Sequence, residues 1–183
     1  MTRIRPLGRC VRCLLRGCMR LQYFTTQGNL DVQYGGAMSY PTKNIYYITG
    51  GSPPYKPDEE TPTNTNEPYL EWLEFILSQP ESQIPQTIST SYGDDEQTVP
   101  EEYARCVCKM FGRLGAMGVS LLFASGDSGV GGGSCHTNDG KNTVKYLPAF
   151  PASCGFFFQY EIAIDFDGSC KALSLRPLVA RSK

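Results

Sequence analysis

Between Asn44 and Ala124 the apolar positions fall into short continuous runs that alternate with longer stretches spaced by three and four. Asn44 to Thr49, NIYYIT, is β-branched and aromatic and stops at Gly50-Gly51, which predicts a buried strand ending in a turn. The following SPPYKPDEETPTNTNEP is loop chemistry throughout. Pro68 opens a predicted helix, with Leu70, Leu73, Ile76 and Leu77 on one face and Trp72 and Phe75 flanking it. QTISTSYG from Gln86 reads as a second strand that runs into the acidic loop Gly93-Asp94-Asp95-Glu96. Pro100-Glu101-Glu102 suits the first turn of a second helix, where proline forfeits no hydrogen bond and acids meet unpaired amides. Tyr103, Val107, Met110, Leu114 and Met117 recur by fours and threes and predict its buried face. Gly118 ends that helix, and VSLLFA makes a third strand.

Strand, helix, strand, helix, strand with continuously apolar strands predicts an α/β fold, a parallel sheet with helices on both faces. In such sheets functional groups gather beyond the carboxyl ends of the strands. The stretch SGDSGVGGGSC, Ser125 to Cys135, sits at one of them. After Cys154 the pattern changes to GFFFQYEIAI and a basic tail, which allows one edge strand but completes no sheet. No internal repeat is present.

At 183 residues the chain holds one domain with a real core. Its net charge of -1 points away from nucleic acid as a partner. The total hides an asymmetry: Met1 to Leu30 contain no acid, while six arginines from Arg3 to Arg20 lie among Cys10, Cys13 and Cys18. Those arginines interrupt every apolar run that a secretory leader needs, and no span is long enough to cross a membrane. The segment also reads as a mitochondrial presequence or, through Cys10-x-x-Cys13, as half a zinc site, but no fitting histidine completes a tetrahedral set. The expectation is that residues 1–26 are not native domain structure. Eight cysteines make disulfide use in an oxidising compartment plausible. Cys135 and Cys154 bracket one irregular loop and are the expected pair, whereas Cys106 and Cys108 lie in the helix pattern as small apolar groups.

The glycine-rich loop admits three readings. A phosphate loop needs glycines at fixed spacing before a helix, usually with a lysine; neither fingerprint is present, and Asp127 would repel the anion. A nucleophilic serine needs a base, and the only histidine, His136, lies in a polar loop almost adjacent to the serines it would serve. The third reading uses Asp127 itself, because a protonated carboxyl can donate a hydrogen bond to developing negative charge. A turn acid capping a backbone amide is the plain structural alternative.

Taken together, SYGDDE at Ser91–Glu96, FASGDSGVG at Phe123–Gly131, TNDGKNT at Thr137–Thr143 and LPAFPASC at Leu147–Cys154 resemble the sedolisins, the serine-carboxyl peptidases, and especially their fungal secreted tripeptidyl-peptidase branch. NLDVQY at Asn29–Tyr34 is similar to the family's catalytic-acid helix. The resemblance covers roughly Gln27 to Cys154 and implies a subtilisin-like α/β fold, here incomplete. It further implies a serine nucleophile activated by a glutamate, which is backed by an aspartate four residues later on the same helix face. By position Asp31 matches that aspartate and Asp127 the acid of the oxyanion hole, with Ser125, Gly126 and Gly129 shaping the loop. Protein or peptide substrates and an extracellular location follow from the resemblance; nucleic acid and membrane do not.

Two departures weigh against activity of this chain. Where the family carries its glutamate base this sequence has Gln27, which fills the same space but cannot accept the serine proton. The Ser-Gly-Thr-Ser nucleophile motif of the family, and its calcium site near the C-terminus, match nothing after Cys154. Asp94, Asp95 and Glu96 are readable as a metal cluster, but adjacent loop acids are ordinarily solvated and the family's calcium is expected elsewhere. The expectation is therefore three segments: 1–26 outside the domain, 27–154 a partial sedolisin peptidase domain, and 155–183 an unmatched tail. Its function is that of an inactive peptidase segment, or alternatively a peptidase-like module that binds peptides without cutting. A chain that does not fold stably is the third expectation, since a sheet missing strands leaves an apolar edge open.

Overall fold

The computed structural model describes residues 11–14, 26–129 and 135–155, with backbone alone up to Gln27. The expected tail from 156 onwards lies outside the described residues. The chain divides into two compact units, Met1–Gly51 and Ser52–Lys183.

In the first unit β1 (Val11–Leu14) pairs antiparallel with β2 (Ile45–Ile48), Val11 opposite Ile48 and Leu14 opposite Ile45. β2 falls on the predicted NIYYIT strand, but it is half-buried, and Ile48 stays 41% exposed. Between them runs α1 (Thr26–Met38), whose Leu30, Tyr34 and Met38 repeat every fourth residue and remain exposed. The turn out of α1 is closed by Asn44, whose Nδ2 donates to Ser39 Oγ at 2.8 Å and to the Thr42 carbonyl at 3.0 Å.

The second unit is built on a parallel pair. β3 (Thr87–Thr90) lies beside β5 (Ser120–Phe123), with Ile88 next to Leu121 and Thr90 next to Phe123. The connection includes α3 (Glu101–Ala116), and α2 (Tyr69–Leu77) packs against α3. α2 buries Tyr69, Leu73 and Ile76, and α3 buries Val107, Phe111 and Leu114. Phe111 is the centre of this core. Its ring meets Phe123 at 4.8 Å and Tyr69 at 6.0 Å, both edge-on, the geometry aromatic quadrupoles favour.

Three expectations change here. The buried stripe of α3 passes through Phe111 rather than Met110, and Met117 is 40% exposed, because the aromatic neighbours on α2 and β5 select the ring over the thioether. Among the described residues the parallel pair is covered on one face only: Ile88 is buried while Leu122 is 56% exposed. A continuous apolar run such as VSLLFA does not distinguish one covered face from two. The run NIYYIT, expected in the parallel sheet, is instead the antiparallel partner of a short strand whose alternating arginine gave no strand signal.

The acidic stretch predicted as a loop contains β4 (Asp94–Asp95), antiparallel to β6 (Ala149–Phe150). Their approach is so close that a side chain on Gly93 would meet the Phe150 carbonyl at 2.9 Å.

The disulfide expectation is also corrected. Cys154 is bonded to Cys108 on α3, with Cα atoms 5.4 Å apart, and Cys135 is in a disulfide that does not involve Cys154. The turn after β6 returns the chain to the side of α3, a proximity that sequence distance along one loop does not reveal. Cys106, two residues earlier on the helix, is a free, exposed thiol. The bond closes a span of 46 residues, so in the chain-entropy account it contributes about 4 kcal/mol. Replacing both Cys108 and Cys154 by serine is expected to lower urea stability by about 2–4 kcal/mol. A double variant with an unchanged unfolding midpoint would contradict this.

Candidate functional site

The carboxyl end of β5 leads directly into the glycine-rich loop. The Ala124 amide still donates to the Thr90 carbonyl at 3.1 Å, after which the chain leaves the sheet. Gly126 and Gly129 take φ of 93° and 68°, left-handed backbone that other residues adopt only at a cost. Between them stands Asp127, exposed to solvent.

Ser125, Gly126, Asp127, Ser128 and Gly129 line a cavity of about 130 Å³ together with Gly93, Asp94, Asp95, Leu147 and Ala149. Three of the quoted sequence motifs therefore meet at one place, since the β4–β6 pairing lays LPAF beside GDD. The spacing of the motifs along the chain carries no trace of that meeting. Asp94 and Asp95, taken as solvated, are half-buried walls of this cavity.

Burial dominates the electrostatics. It raises the Asp95 carboxyl to about 6, helped by the nearby charges of Asp58, Asp94 and Glu60. Burial also raises Asp94, although hydrogen bonds from Thr65 and Tyr92 pull the other way, Thr65 Oγ1 donating to Asp94 Oδ1 at 2.9 Å. Glu67 is raised by burial and then by Asp94. Tyr92 donates to the Thr65 carbonyl at 3.0 Å, and Tyr69 to the Tyr92 carbonyl at 2.9 Å, which fixes the loop over the strand. A carboxyl that keeps its proton up to mildly acidic pH can donate as well as accept a hydrogen bond, the property acid-range chemistry needs.

Asp31 lies on α1 in the first unit and is half-buried. Because α1 is continuous from Thr26 to Met38, positions 27 and 31 fall on one helix face, as the spacing by four requires. For Gln27 the description is of the backbone only. Asp127 belongs to the second unit, and each acid is placed within its own unit. His136 faces Glu59, Nδ1 to Oε2 at 3.9 Å, and its carbonyl accepts from Gln97 Nε2 at 3.0 Å.

Among the described residues no group of three or more histidines, cysteines, aspartates or glutamates is arranged to hold a metal ion, Asp94–Glu96 included. The calcium site implied by the resemblance belongs to the full-length family and is not expected in this chain. No described helix is long and apolar enough to cross a membrane.

Comparison with known proteins gives tripeptidyl-peptidases of fungi as relatives. The chain is 46% identical over 157 residues to the tripeptidyl-peptidase sed4 of Aspergillus fumigatus, covering 81% of this chain and 26% of that protein. It is 48% identical over 135 residues to the tripeptidyl-peptidase SED2 of Arthroderma otae, covering 72% of this chain and 22% of the relative. A probable tripeptidyl-peptidase SED3 of Arthroderma benhamiae is 46% identical over 133 residues, covering 71% and 22%. The chain thus spans roughly a quarter of the length of these relatives or less. No family model matches the chain, and no solved structure does.

Proposed function

The residues matched to these tripeptidyl-peptidases are those of a sedolisin-family segment, and from that premise we propose that the chain supplies the oxyanion wall and part of the peptide groove of a secreted, acid-acting serine-carboxyl peptidase. The observation that carries the reading is Asp127, presented on a glycine-shaped loop at the carboxyl end of a parallel strand and sharing one cavity with Asp94 and Asp95. In a working enzyme of this design the Asp127 carboxyl donates to the oxygen on which negative charge develops, and a glutamate at position 27 takes the proton of the serine. Asp31, one turn further along α1, holds that glutamate's proton in a shared pair. The parallel pair and its helix are then part of a subtilisin-like sheet whose other strands lie elsewhere in the enzyme. Protein or peptide N-termini are the substrates, and tripeptides the products.

Gln27 supports a second reading, a module that keeps the groove and binds peptides without cutting them. An amide has no lone pair basic enough to take the serine proton. Both readings predict that this chain alone releases no product from a tripeptide-amide substrate at any pH. Hydrolysis that Asp127→Ala abolishes would overturn that expectation and require another nucleophile. Saturable peptide binding by isothermal calorimetry, without turnover, separates the module from a segment that needs the rest of an enzyme.

A further inference from the structure

We propose that the loop Ser52–Glu67 is an acid-locked strap, docked on β4 and the turn after it when their facing carboxyls are protonated and released when they ionise. The docking contacts are specific. The Lys56 amide donates to the Thr98 carbonyl at 2.8 Å, and Asn66 Nδ2 donates to the same carbonyl at 3.1 Å. Thr98 is fully buried, and its hydroxyl is shared between Asn66 Oδ1 at 3.0 Å and the Asp95 carbonyl at 2.8 Å. Gln97 Nε2 bridges Asp58 Oδ2 and the His136 carbonyl, each at 3.0 Å. Thr65 reaches Asp94 from above the strand.

The surfaces joined by these contacts are predominantly acidic. The strap brings Asp58, Glu59, Glu60 and Glu67 against the single cation Lys56, β4 brings Asp94 and Asp95, the turn after it brings Glu96, and Asp127 lines the same cavity as β4. β6, which pairs with β4, contributes only the uncharged Ala149 and Phe150. Among the described residues the ion pairs are Arg105 with Glu101 and His136 with Glu59, and neither neutralises Asp94 or Asp95. The His136–Glu59 contact is an ion pair only with the imidazole protonated.

The sign follows from linkage. A carboxyl raised from 3.8 to about 6 by folding stabilises the docked strap fully below its unfolded value, and that stabilisation is lost as pH rises through about 6. Asp94 and Glu67, shifted the same way, widen the window. Because these groups are only half-buried, solvent screening reduces the influence of the raised Asp95 carboxyl to about a tenfold effect on the docking equilibrium.

Hydrogen exchange on the whole chain, expressed as protection factors to remove intrinsic pH effects, tests the strap without any assay of cleavage. Its failure would leave the peptidase reading untouched. The Lys56 amide is expected to lose about tenfold protection between about pH 4.5 and pH 7.5, while Val107 and Leu114 in α3 keep theirs. Asp95→Asn or Glu67→Gln, each near-isosteric and neutral, is expected to hold the strap docked at the higher pH. Equal protection of Lys56 at both pH values, a loss shared by the α3 amides, or an undiminished loss in both variants would each overturn the proposal.

Discussion

Changing Gln27 to glutamate is expected to restore tripeptide release by about 10²–10⁴-fold, the usual contribution of a general base, in a chimera where the matched segment of this chain replaces its counterpart in the Aspergillus fumigatus relative. On the proposed mechanism the relative's part of the chimera supplies the serine and the remaining strands, so that position 27 is the variable tested. With Gln27 that serine would have no proton acceptor, and a substrate held in register would wait for water to do the base's work. With glutamate the acceptor would stand one turn from Asp31 on α1, and the two acids would share a proton in the acid range. Steady-state rates on a tripeptide-amide substrate at about pH 4 report the outcome. If the chimera and its Gln27→Glu variant turn over equally, the base lies elsewhere and α1 is not the catalytic-acid helix. If both are inactive, a lowered unfolding midpoint places the fault in the graft, and an unchanged one places it in the loop at Asp127.

In the active chimera, Asp127→Ala is expected to lower kcat by about 10²–10³-fold with little change in KM, the signature of a donor that acts on the developing oxyanion rather than on the bound substrate. Asp127→Asn keeps a donor in place and is expected to recover part of the loss. The glycines at φ 93° and 68° around it are rigid requirements of the turn, so the substitution removes a functional group and leaves the loop's path intact. A variant that loses KM and kcat together, or one whose asparagine form is no better than alanine, would return Asp127 to the role of a turn acid. A graft defect shows instead as a lowered unfolding midpoint in the Gln27 chimera before any substitution at 127.

The two predictions differ in how far the sequence alone could have led to them. Gln27 and Asp31 are legible through the resemblance of NLDVQY to a catalytic-acid helix, and once α1 is continuous their spacing by four puts them on one face. The Asp127 loop is equally legible, since a strand run followed by closely spaced glycines dictates an abrupt turn at a sheet end. The strap and its carboxyls are not. Asp94 and Asp95 look like solvent-facing loop acids until β6 pairs with them from more than fifty residues away and the Ser52–Glu67 loop brings Thr65, Asp58 and Glu60 to them, and the resulting burial and like charge raise their carboxyls.

The disulfide makes the same distinction from the other side. Eight cysteines implied an oxidised, cross-linked chain, but only the fold brings Cys154 to Cys108, because the turn after β6 ends against α3. Likewise the periodicity of α3 located a buried stripe, while the choice of Phe111 over Met110 as its centre was decided by the rings of Tyr69 and Phe123. What residue order alone determined were elements whose causes lie within a few positions: α2, α3, the strand runs of β2, β3 and β5, and the glycine turn at Asp127, while the acid spacing on α1 came through the family resemblance. Tertiary structure decided which distant segments share a surface, and with it the burial that moves a carboxyl's pKa, since both depend on contacts whose energy no local pattern encodes.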